Sequence, residues 1–467
     1  MSTISELAKA LNLSYSGLDV EIRSVALGTQ HVEPGGLFIA VQGANSHGLD
    51  YLDRAVQRGA VAVLTDRPGD YPIPSLIAEN PREVAGLIAD FVFGTTSSEQ
   101  SLYGVTGTNG KTSTVFYLAE LLNAIGKPTG MISSAIVSVG GEQLPVELTT
   151  PEAPRVHQLL RQMRDVGQQA AAVEVSAQGL TRHRTTGLRF RVSGFTNLSR
   201  DHLDDYTDMD SYLAAKAELF TEHYSDAAVV MLEDSYSKKL FDQITIPKVG
   251  IGVDYRYEHS PQQIRVTGKH DLTLDLELGE LMAKNFVLAT VMLLEAGFTP
   301  KELESAATKV ELLVPGRLQQ VSERTPHIFV DYAHTPAAIE SAAKELKSRY
   351  PSLTIMLAAS GDRDQGKRPE MALAAAKYAD RILITDQHPR SEDPAAIRAQ
   401  LAAAISEFPR LEEISDPSQC VKRAVEITDA GGAVLWCGPG HLKYREVKGQ
   451  KLPFDAVAEA RKVLGHD

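Results

Sequence analysis

The stretch GVTGTNGKTST, residues 104–114, decides the fold of this chain. It follows a β-like run and precedes a segment whose apolar residues recur at helical spacing. Those apolar residues are Val115, Leu118, Leu122 and Ile125. A strand, a glycine-rich turn and a helix in this order bind phosphate groups, because the backbone amides at the start of the helix point at the anion.

The loop has the chemistry of a nucleoside triphosphate site. Its glycines allow the backbone to turn inward around a phosphate chain, while Lys111 supplies positive charge and the Thr112 hydroxyl suits Mg²⁺. The strict phosphate-loop pattern is not met, because Val105 stands where its first glycine belongs. The alternative is a glycine-rich turn with one solvated lysine. We predict ATP contacts at Gly107, Thr108, Asn109, Gly110, Lys111, Thr112 and Ser113.

The composition is that of a globular protein with several domains. The chain has 467 residues, of which 43% are hydrophobic, and only two cysteines. These values exclude disordered, collagen-like and disulfide-rich proteins. At roughly 100–200 residues per domain, the length predicts about three domains. The net charge of −13 disfavours nucleic acids and anionic membranes as partners, so an anionic ligand requires a local cationic site.

We expect the chain in the cytoplasm. Cys420 and Cys437 are too few for a disulfide framework or a four-thiolate zinc site, which is typical of a reduced cytosolic protein. Residues 1–14 lack the basic and apolar regions of a signal peptide. The longest strongly apolar run, 286–294, is much shorter than the roughly 20 residues of a membrane span.

β-like runs alternate with helical patterns along the chain, which predicts an α/β fold with mainly parallel sheets. Clear examples of such runs are 60–65, 170–175, 353–359 and 433–438. Two segments differ from this pattern. Residues 271–280 alternate like an antiparallel strand, and residues 316–332 are typical of a hairpin or an edge strand.

Two composition changes indicate domain boundaries. One is the polar Gly/Ser/Thr segment that begins at Gly94, and the other is the Pro315-Gly316 pair. We therefore predict domains at 1–98, 99–315 and 316–467.

Eight motifs, in order along essentially the whole chain, resemble those of the Mur ligases. They are GTNGKT (107–112), EVSAQGL (174–180), TNLSRDHLD (196–204), YLAAKAELF (212–220), VPGRLQ (314–319), DYAHTP (331–336), GDRDQGKRP (361–369) and HPRSEDP (388–394). The resemblance is to the branch that adds the third amino acid to UDP-N-acetylmuramoyl-dipeptide in peptidoglycan precursor synthesis. It implies an N-terminal UDP-binding domain, a central P-loop ATPase-like domain and a Rossmann-like C-terminal domain that binds the amino acid. It also implies ATP, Mg²⁺, small-molecule substrates and a monomer.

The chemistry of such a ligase can be stated from first principles. A carboxylate and an amine do not condense in water unless the carboxylate is activated, and a triphosphate can activate it as an acyl phosphate. Because a carboxylate must then approach a phosphate, the site needs Lys111 and metal ions. The resemblance implies Mg²⁺ on Thr112, Glu174 and His202, with Lys216 carbamylated to support a second ion. The alternatives are a solvated strand end, a structural histidine and a surface lysine.

The resemblance assigns further ATP contacts. Asn285 and Arg317 match positions that hold the adenine and the phosphates. Asp331 and His334 match residues that close the third domain over ATP, with Asp331 suited to the ribose hydroxyls. The alternative for DYAHTP is a strand followed by a helix that begins with proline.

The acyl-donor site matches the family only in part. Thr149, Thr150, Ser176 and Arg184 match contacts to the muramoyl-dipeptide. The usual Asp-Ser-Arg of the uridine-binding domain is Gly28-Thr29-Gln30 here, of which Thr29 keeps a hydroxyl. Two other changes lie beside the dipeptide contacts, at Ala177-Gln178 (usually Ser-His) and at Arg182 (usually Gln).

The acceptor site departs further. Members that use meso-diaminopimelate carry Asp-Asn-Pro-Arg and Gly-x-Gly-His-Glu, which here are Gln387-His388-Pro389-Arg390 and Gly438-Pro439-Gly440-His441-Leu442. Arg390 matches the arginine that binds a carboxylate of the acceptor. The Asp and Glu of the two motifs, however, are replaced by Gln387 and Leu442. An unpaired buried ammonium is costly, so we expect an acceptor other than diaminopimelate.

Two alternatives to the peptidoglycan ligase remain. One is a relative with the same chemistry and another acid and amine, suggested by the changes at 28–30, 387–388 and 442. The other is a non-catalytic nucleotide-binding protein, which the joint presence of Lys111, Glu174, His202 and Lys216 argues against.

Overall fold

The computed structural model describes residues 2–43, 45–96, 99–321 and 323–465. These residues form three α/β units, which we call the first, second and third layers. They are built around sheets of five, 11 and six strands, respectively. The expectation of an α/β fold with mainly parallel sheets is confirmed.

The first layer is built around a mostly parallel sheet with the strand order β2-β7-β6-β5-β4. Its elements are β1 (Ser2–Thr3), α1 (Ile4–Leu11), β2 (Ser14–Ser16), β3 (Glu21–Ile22), β4 (Ser24–Ala26), β5 (Gly36–Ile39), α2 (Leu52–Gln57), β6 (Ala60–Thr65), β7 (Ser75–Ile77) and α3 (Pro81–Phe93), with 3₁₀ turns at Thr29–His31 and Gly48–Tyr51. Helix α3 begins where the Asn80 side chain accepts a hydrogen bond from the Arg82 amide, and ends at the left-handed Gly94. β1 and β3 form a separate antiparallel pair.

The second layer carries the phosphate loop. Its elements are β8 (Ser101–Thr106), α4 (Lys111–Ala124), β9 (Thr129–Ile132), β10 (Val137–Val139), β11 (Glu142–Leu144), α5 (Ala153–Asp165), β12 (Ala170–Glu174), α6 (Ala177–Thr181), β13 (Val192–Phe195), α7 (Met209–Ala217), a 3₁₀ turn (Glu218–Phe220), β14 (Ala228–Met231), α8 (Ser235–Gln243), β15 (Lys248–Ile251), β16 (Tyr255–Ser260), β17 (Gln263–Gly268), β18 (Leu272–Asp275), α9 (Glu280–Glu295) and α10 (Pro300–Ala307). The strand order is β11-β10-β9-β12-β8-β13-β14-β15-β16-β17-β18. The antiparallel strand predicted in 271–280 is confirmed as β18, which pairs with β17.

The order of these strands sets the position of the site. β8 lies between β12 and β13 and is parallel to both. The chain runs from β8 to β9 and β12 on one side, then to β13, β14 and β15 on the other. A parallel sheet leaves a crevice at the carboxyl end of its strands where the strand order reverses in this way. Helices α4 and α9 cover one face, where the rings of Tyr117 and Phe286 lie 5.0 Å apart.

The third layer has the strand order β19-β20-β24-β21-β22-β23. Its elements are β19 (Gln319–Gln320), β20 (His327–Asp331), α11 (Pro336–Arg349), β21 (Leu353–Leu357), α12 (Lys367–Ala376), β22 (Arg381–Ile384), α13 (Pro394–Ala403), β23 (Leu411–Glu413), α14 (Pro417–Ile427), β24 (Ala433–Cys437), β25 (Tyr444–Val447), β26 (Gln450–Pro453) and α15 (Ala456–Val463). β19 pairs antiparallel with β20, which confirms the hairpin predicted in 316–332.

The strands of each larger sheet fall within one of the predicted domains. The predicted boundary after residue 98 falls on residues 97–98, which lie outside the described residues. The boundary at 315–316 lies between α10 and β19. Both boundaries stay predictions. Within the described ranges, the helices are too short or too polar to cross a membrane.

The first and second layers meet at a close backbone contact. Gly86 is buried on α3, and a Cβ atom built on it would overlap the carbonyl oxygen of Thr186. Beside this contact, Arg82 Nη1 donates a 2.6 Å hydrogen bond to Glu152 Oε2.

We expect Gly86→Ala to lower the free energy of unfolding by about 1–3 kcal/mol, because the backbone at Thr186 has little freedom to move away from the added methyl group. Urea unfolding measures this loss. Leu87→Ala, at the neighbouring, more exposed position of α3, is the control and should change stability much less. Equal losses in the two variants would contradict the close contact.

Candidate active site

A cavity of about 1140 Å³ opens at the carboxyl ends of β12, β8 and β13. The second and third layers supply the described residues that line it. Most of the predicted site residues line it together: Thr108, Asn109, Gly110, Lys111, Thr112, Ser113, Thr149, Glu174, Ser176, Arg184, His202, Asn285, Arg317, Asp331, His334, Gln387, His388, Arg390, Gly438 and Leu442. Gly107, Thr150 and Lys216 lie behind this lining, in contact with it.

The phosphate loop depends on two glycines with left-handed backbone. Gly107 has φ +142° and Gly110 has φ +86°. A Cβ atom on Gly107 would overlap Thr196 Oγ1, and one on Gly110 would overlap Asn285 Oδ1. Both positions therefore require glycine for conformation and for space.

The loop is held by the segment that follows β13. Asn197 accepts hydrogen bonds from the amides of Thr108 and Asn109, at 2.8 and 3.0 Å. Lys111 is the first residue of α4, and its Nζ donates a 2.8 Å hydrogen bond to the Thr108 carbonyl. Burial lowers the pKa of Lys111, although nearby Glu174 counteracts this effect.

Two of the predicted metal ligands touch each other. Thr112 Oγ1 donates a 2.9 Å hydrogen bond to Glu174 Oε2, and Glu174 is 2% exposed at the end of β12. The same oxygen accepts a 2.9 Å hydrogen bond from the amide of Ser134. Lys111 Nζ lies 4.0 Å from the other oxygen of Glu174. A hydroxyl and a carboxylate are the hard oxygen ligands that Mg²⁺ prefers.

His202 lies in the loop after β13 and lines the same cavity. Gln178 Nε2 is 2.8 Å from its Nδ1, and Asp201 Oδ2 is 3.5 Å from its Nε2. Burial lowers the pKa of His202 to about 4, and the charges of Lys216 and Lys111 act in the same direction. Its imidazole is therefore neutral at neutral pH, which is the form that binds metals.

Lys216 is buried on α7, with 1% of its surface exposed. Its Nζ donates a 2.7 Å hydrogen bond to the Gly107 carbonyl and lies 4.4 Å from the centre of the Tyr212 ring. Burial lowers its pKa well below the usual range, and the charge of Lys111 adds to the effect. The alternative of a surface lysine is wrong.

The predicted adenine and phosphate contacts surround the loop. Asn285 is on α9, and its Nδ2 donates to the Leu281 carbonyl. Arg317 Nη2 donates a 2.9 Å hydrogen bond to Thr112 Oγ1. Its guanidinium also lies 4.6 Å from the centre of the Tyr332 ring.

Asp331 and His334 both contact backbone groups of the third layer. The two carboxylate oxygens of Asp331 accept hydrogen bonds from the amides of Leu318 and Ala333. His334 Nδ1 lies 2.8 Å from the Tyr332 carbonyl. Helix α11 begins at Pro336, as the alternative for DYAHTP predicted. Both residues still line the cavity, so their predicted roles toward ATP stay predictions.

The residues predicted to contact the acyl donor differ in their position relative to the cavity. Thr150 Oγ1 donates to the Glu174 carbonyl and lies 3.1 Å from Ser176 Oγ. Arg184 pairs with Glu152 at 3.1 Å, and its Nε is buried without a hydrogen-bond partner in the described part of the chain. Thr29 is in a 3₁₀ turn of the first layer and does not line the cavity.

Sequence reasoning missed three residues of the site. Ser134 follows β9 and contacts both Thr112 and Glu174. Asp201 is buried, and its carboxylate accepts a 2.9 Å hydrogen bond from Lys367 Nζ of α12. Although burial acts to raise the pKa of Asp201, the nearby His334 imidazole, 3.7 Å away, and the charges of His202 and Lys367 hold it well below its usual range. Asp201 and Lys367 lie within the motifs TNLSRDHLD and GDRDQGKRP, which were the sequence signal that could have identified them.

Comparison with known proteins identifies the family. The model described as Mur ligase middle domain matches residues 105–290. The model described as Mur ligase, glutamate ligase domain matches 316–440, and the one described as Mur ligase family, catalytic domain matches 21–88.

Two similar sequences span the full chain. A UDP-N-acetylmuramyl-tripeptide synthetase of Leifsonia xyli subsp. xyli is 39% identical over 99% of this chain and 95% of that protein. A UDP-N-acetylmuramoyl-L-alanyl-D-glutamate–2,6-diaminopimelate ligase of Aquifex aeolicus is 32% identical over 98% of this chain and 97% of that protein.

Solved structures agree with this assignment. A UDP-N-acetylmuramoyl-L-alanyl-D-glutamate–2,6-diaminopimelate ligase superposes with a TM-score of 0.64, at 27% identity, over 95% of each chain. The MurF ligase from Thermotoga maritima in complex with ADP shares the fold, with a TM-score of 0.67 at 18% identity over 94% of this chain and 96% of that chain. The chain therefore belongs to the Mur ligase family and is an ATP-dependent ligase that forms amide bonds, with the three-domain architecture of that family.

Proposed function

We propose that this ligase joins UDP-N-acetylmuramoyl-L-alanyl-D-glutamate to an amino acid, with conversion of ATP to ADP and phosphate, in peptidoglycan precursor synthesis. One observation supports this most: the phosphate loop, the Thr112–Glu174 pair, Arg184 and Arg390 all line one cavity. A carboxylate, a triphosphate and an amino acid can thus meet in one place. The proposal includes a monomer that acts in the cytoplasm on small-molecule substrates.

The proposed reaction has two steps. An oxygen of the donor carboxylate attacks the γ-phosphorus and the bond to the β,γ-bridging oxygen breaks, which gives ADP and an acyl phosphate. The amine of the acceptor then attacks the acyl carbon, loses a proton and expels inorganic phosphate. Lys111 and Arg317 carry the positive charge that offsets the approach of one anion to another.

The donor set of the site fits Mg²⁺. Thr112, Glu174 and His202 would hold it, and the ion would neutralise charge that develops on the transferred phosphoryl group. The half-buried partners of these residues, Ser134 and Gln178, would fix their orientation. Asp201 and Lys367 join the second and third layers beside this group, which helps to exclude water that would hydrolyse the acyl phosphate.

The first experiment is phosphate release from ATP and Mg²⁺ with the donor and a panel of amino acids, with mass spectrometry of the product. We expect release only when donor and acceptor are both present. Binding of ATP without product from any amino acid would contradict this substrate assignment and favour the same chemistry on another carboxylate and amine.

We expect Lys111→Ala to lower the turnover number by about 10²–10³, because it removes a charge that faces the phosphates. Lys127→Ala is the matched control, since Lys127 is exposed just beyond the end of α4. The measurement is ligation rate at saturating substrates, with circular dichroism to check folding. A folded Lys111→Ala protein with the wild-type rate would contradict the role of the loop.

Lys216 is proposed to carry a carbamate. Its buried amine has a pKa lowered well below the usual range by desolvation, so that it is available unprotonated to attack CO₂. We expect a carbamate signal in ¹³C nuclear magnetic resonance of protein equilibrated with labelled bicarbonate, and its loss in Lys216→Arg. A signal of equal size in Lys216→Arg would show that another amine carries the label.

A further inference from the structure

The acceptor end of the cavity is built from the loop 387–390 and the hairpin of β25 and β26. The amide of Arg390 donates to the Glu446 carbonyl at 3.1 Å, and the Arg390 carbonyl accepts from the Lys448 amide at 2.7 Å. Arg445 Nε donates a 2.9 Å hydrogen bond to the Gln387 carbonyl. These bonds hold Arg390 in a left-handed backbone conformation, with φ +53°. The positions of the side chains at this end are therefore well defined.

His388 is held as a hydrogen-bond donor toward the cavity. Its Nδ1 accepts a 2.9 Å hydrogen bond from the Glu446 amide, so the neutral ring carries its proton on Nε2. In the described part of the chain, Nε2 has no hydrogen-bond partner, and the residue lines the cavity. Burial lowers the pKa of His388 to about 4, and the charges of Arg390 and Arg445 act in the same direction.

The carboxylates that line this end already have cationic partners. Glu446 Oε2 lies 3.2 Å from Arg390 Nε, and Asp364 Oδ2 lies 3.3 Å from Arg200 Nε. Just behind the lining, Asp386 pairs with Arg398. An ammonium group brought here would lose its water without gaining a free carboxylate, which is unfavourable.

Two uncharged side chains, Gln387 and Leu442, also line this end. The Gln387 side chain lies against Gly438, where a Cβ atom would overlap its Oε1. Leu442 adds an apolar surface. Arg390 Nε is buried beside Glu446, and in the described part of the chain its two Nη atoms have no hydrogen-bond partner, so they are available as donors for the α-carboxylate of an amino acid.

We propose that the acceptor is an amino acid whose side chain ends in an oxygen, such as a hydroxyl, carboxamide or carboxylate, which accepts a hydrogen bond from His388 Nε2. The inference rests on the proposed function, and it names the class of acceptor for that same site. It predicts discrimination against side chains that end in an ammonium.

The sharpest test uses two acceptors of equal size with wild-type enzyme, ATP, Mg²⁺ and the muramoyl-dipeptide donor. L-Homoserine and L-2,4-diaminobutyrate differ only in a terminal hydroxyl or ammonium. We expect kcat/KM to be at least about 10-fold higher for homoserine, and glutamate or glutamine to be preferred over ornithine, lysine and diaminopimelate. A preference for the ammonium member of these pairs would overturn the inference and leave the proposed function intact. Absence of product with all of them would overturn both.

Variants of the same site give an independent test. Gln387→Asp combined with Leu442→Glu adds two carboxylates, so we expect the homoserine-to-diaminobutyrate ratio to fall by about 10-fold or more. His388→Phe removes the donor and should lower the same ratio. Gln450→Ala, at an exposed position of the same hairpin, is the control. A ratio that stays at the wild-type value in folded His388→Phe would contradict the role of Nε2.

Discussion

The position of β8 between β12 and β13 is the constraint on which the site depends. Because the three strands are parallel, their carboxyl ends meet at one edge of the sheet. The loop after β8 donates backbone hydrogen bonds to Asn197 after β13, and the helix after that loop places Thr112 against Glu174 at the end of β12. A shift of one strand would therefore separate the phosphate loop from the residues on both sides of it.

The charges around the cavity show how an acidic chain can receive anions. The net charge is −13, yet Lys111, Arg317 and Lys367 converge on this region. Their burial strengthens each interaction, because the surrounding dielectric constant is lower than that of water. The charge of Lys111 also lowers the pKa of the buried Lys216 amine, which favours its unprotonated form.

Much of this arrangement could be predicted from local sequence. The phosphate loop is a continuous segment whose glycines have a local conformational role, and the hairpin of β19 and β20 follows from strand alternation and turn residues. Asp201 and Lys367 each lie in a motif, but they are 166 positions apart, so no local pattern predicts that they form an ion pair. The burial of Lys216 could not be predicted from local sequence either, because it results from the packing of α7 over Gly107. Thr29 lies in the first layer, outside this cavity, so its predicted contact with the UDP end of the donor stays a prediction.

The three layers are joined by two physically different kinds of contact. The first layer packs against the second at Gly86, where the backbone contact does not depend on dissolved ions, and beside it at the Arg82–Glu152 ion pair. The third layer is joined to the second by ion pairs, of which Arg200 with Asp364 and Glu370 is partly exposed. Salt screens such exposed pairs within about 10 Å at 0.1 M ionic strength. Raising the ionic strength is therefore expected to weaken these contacts of the third layer more than the packing of the first layer at Gly86.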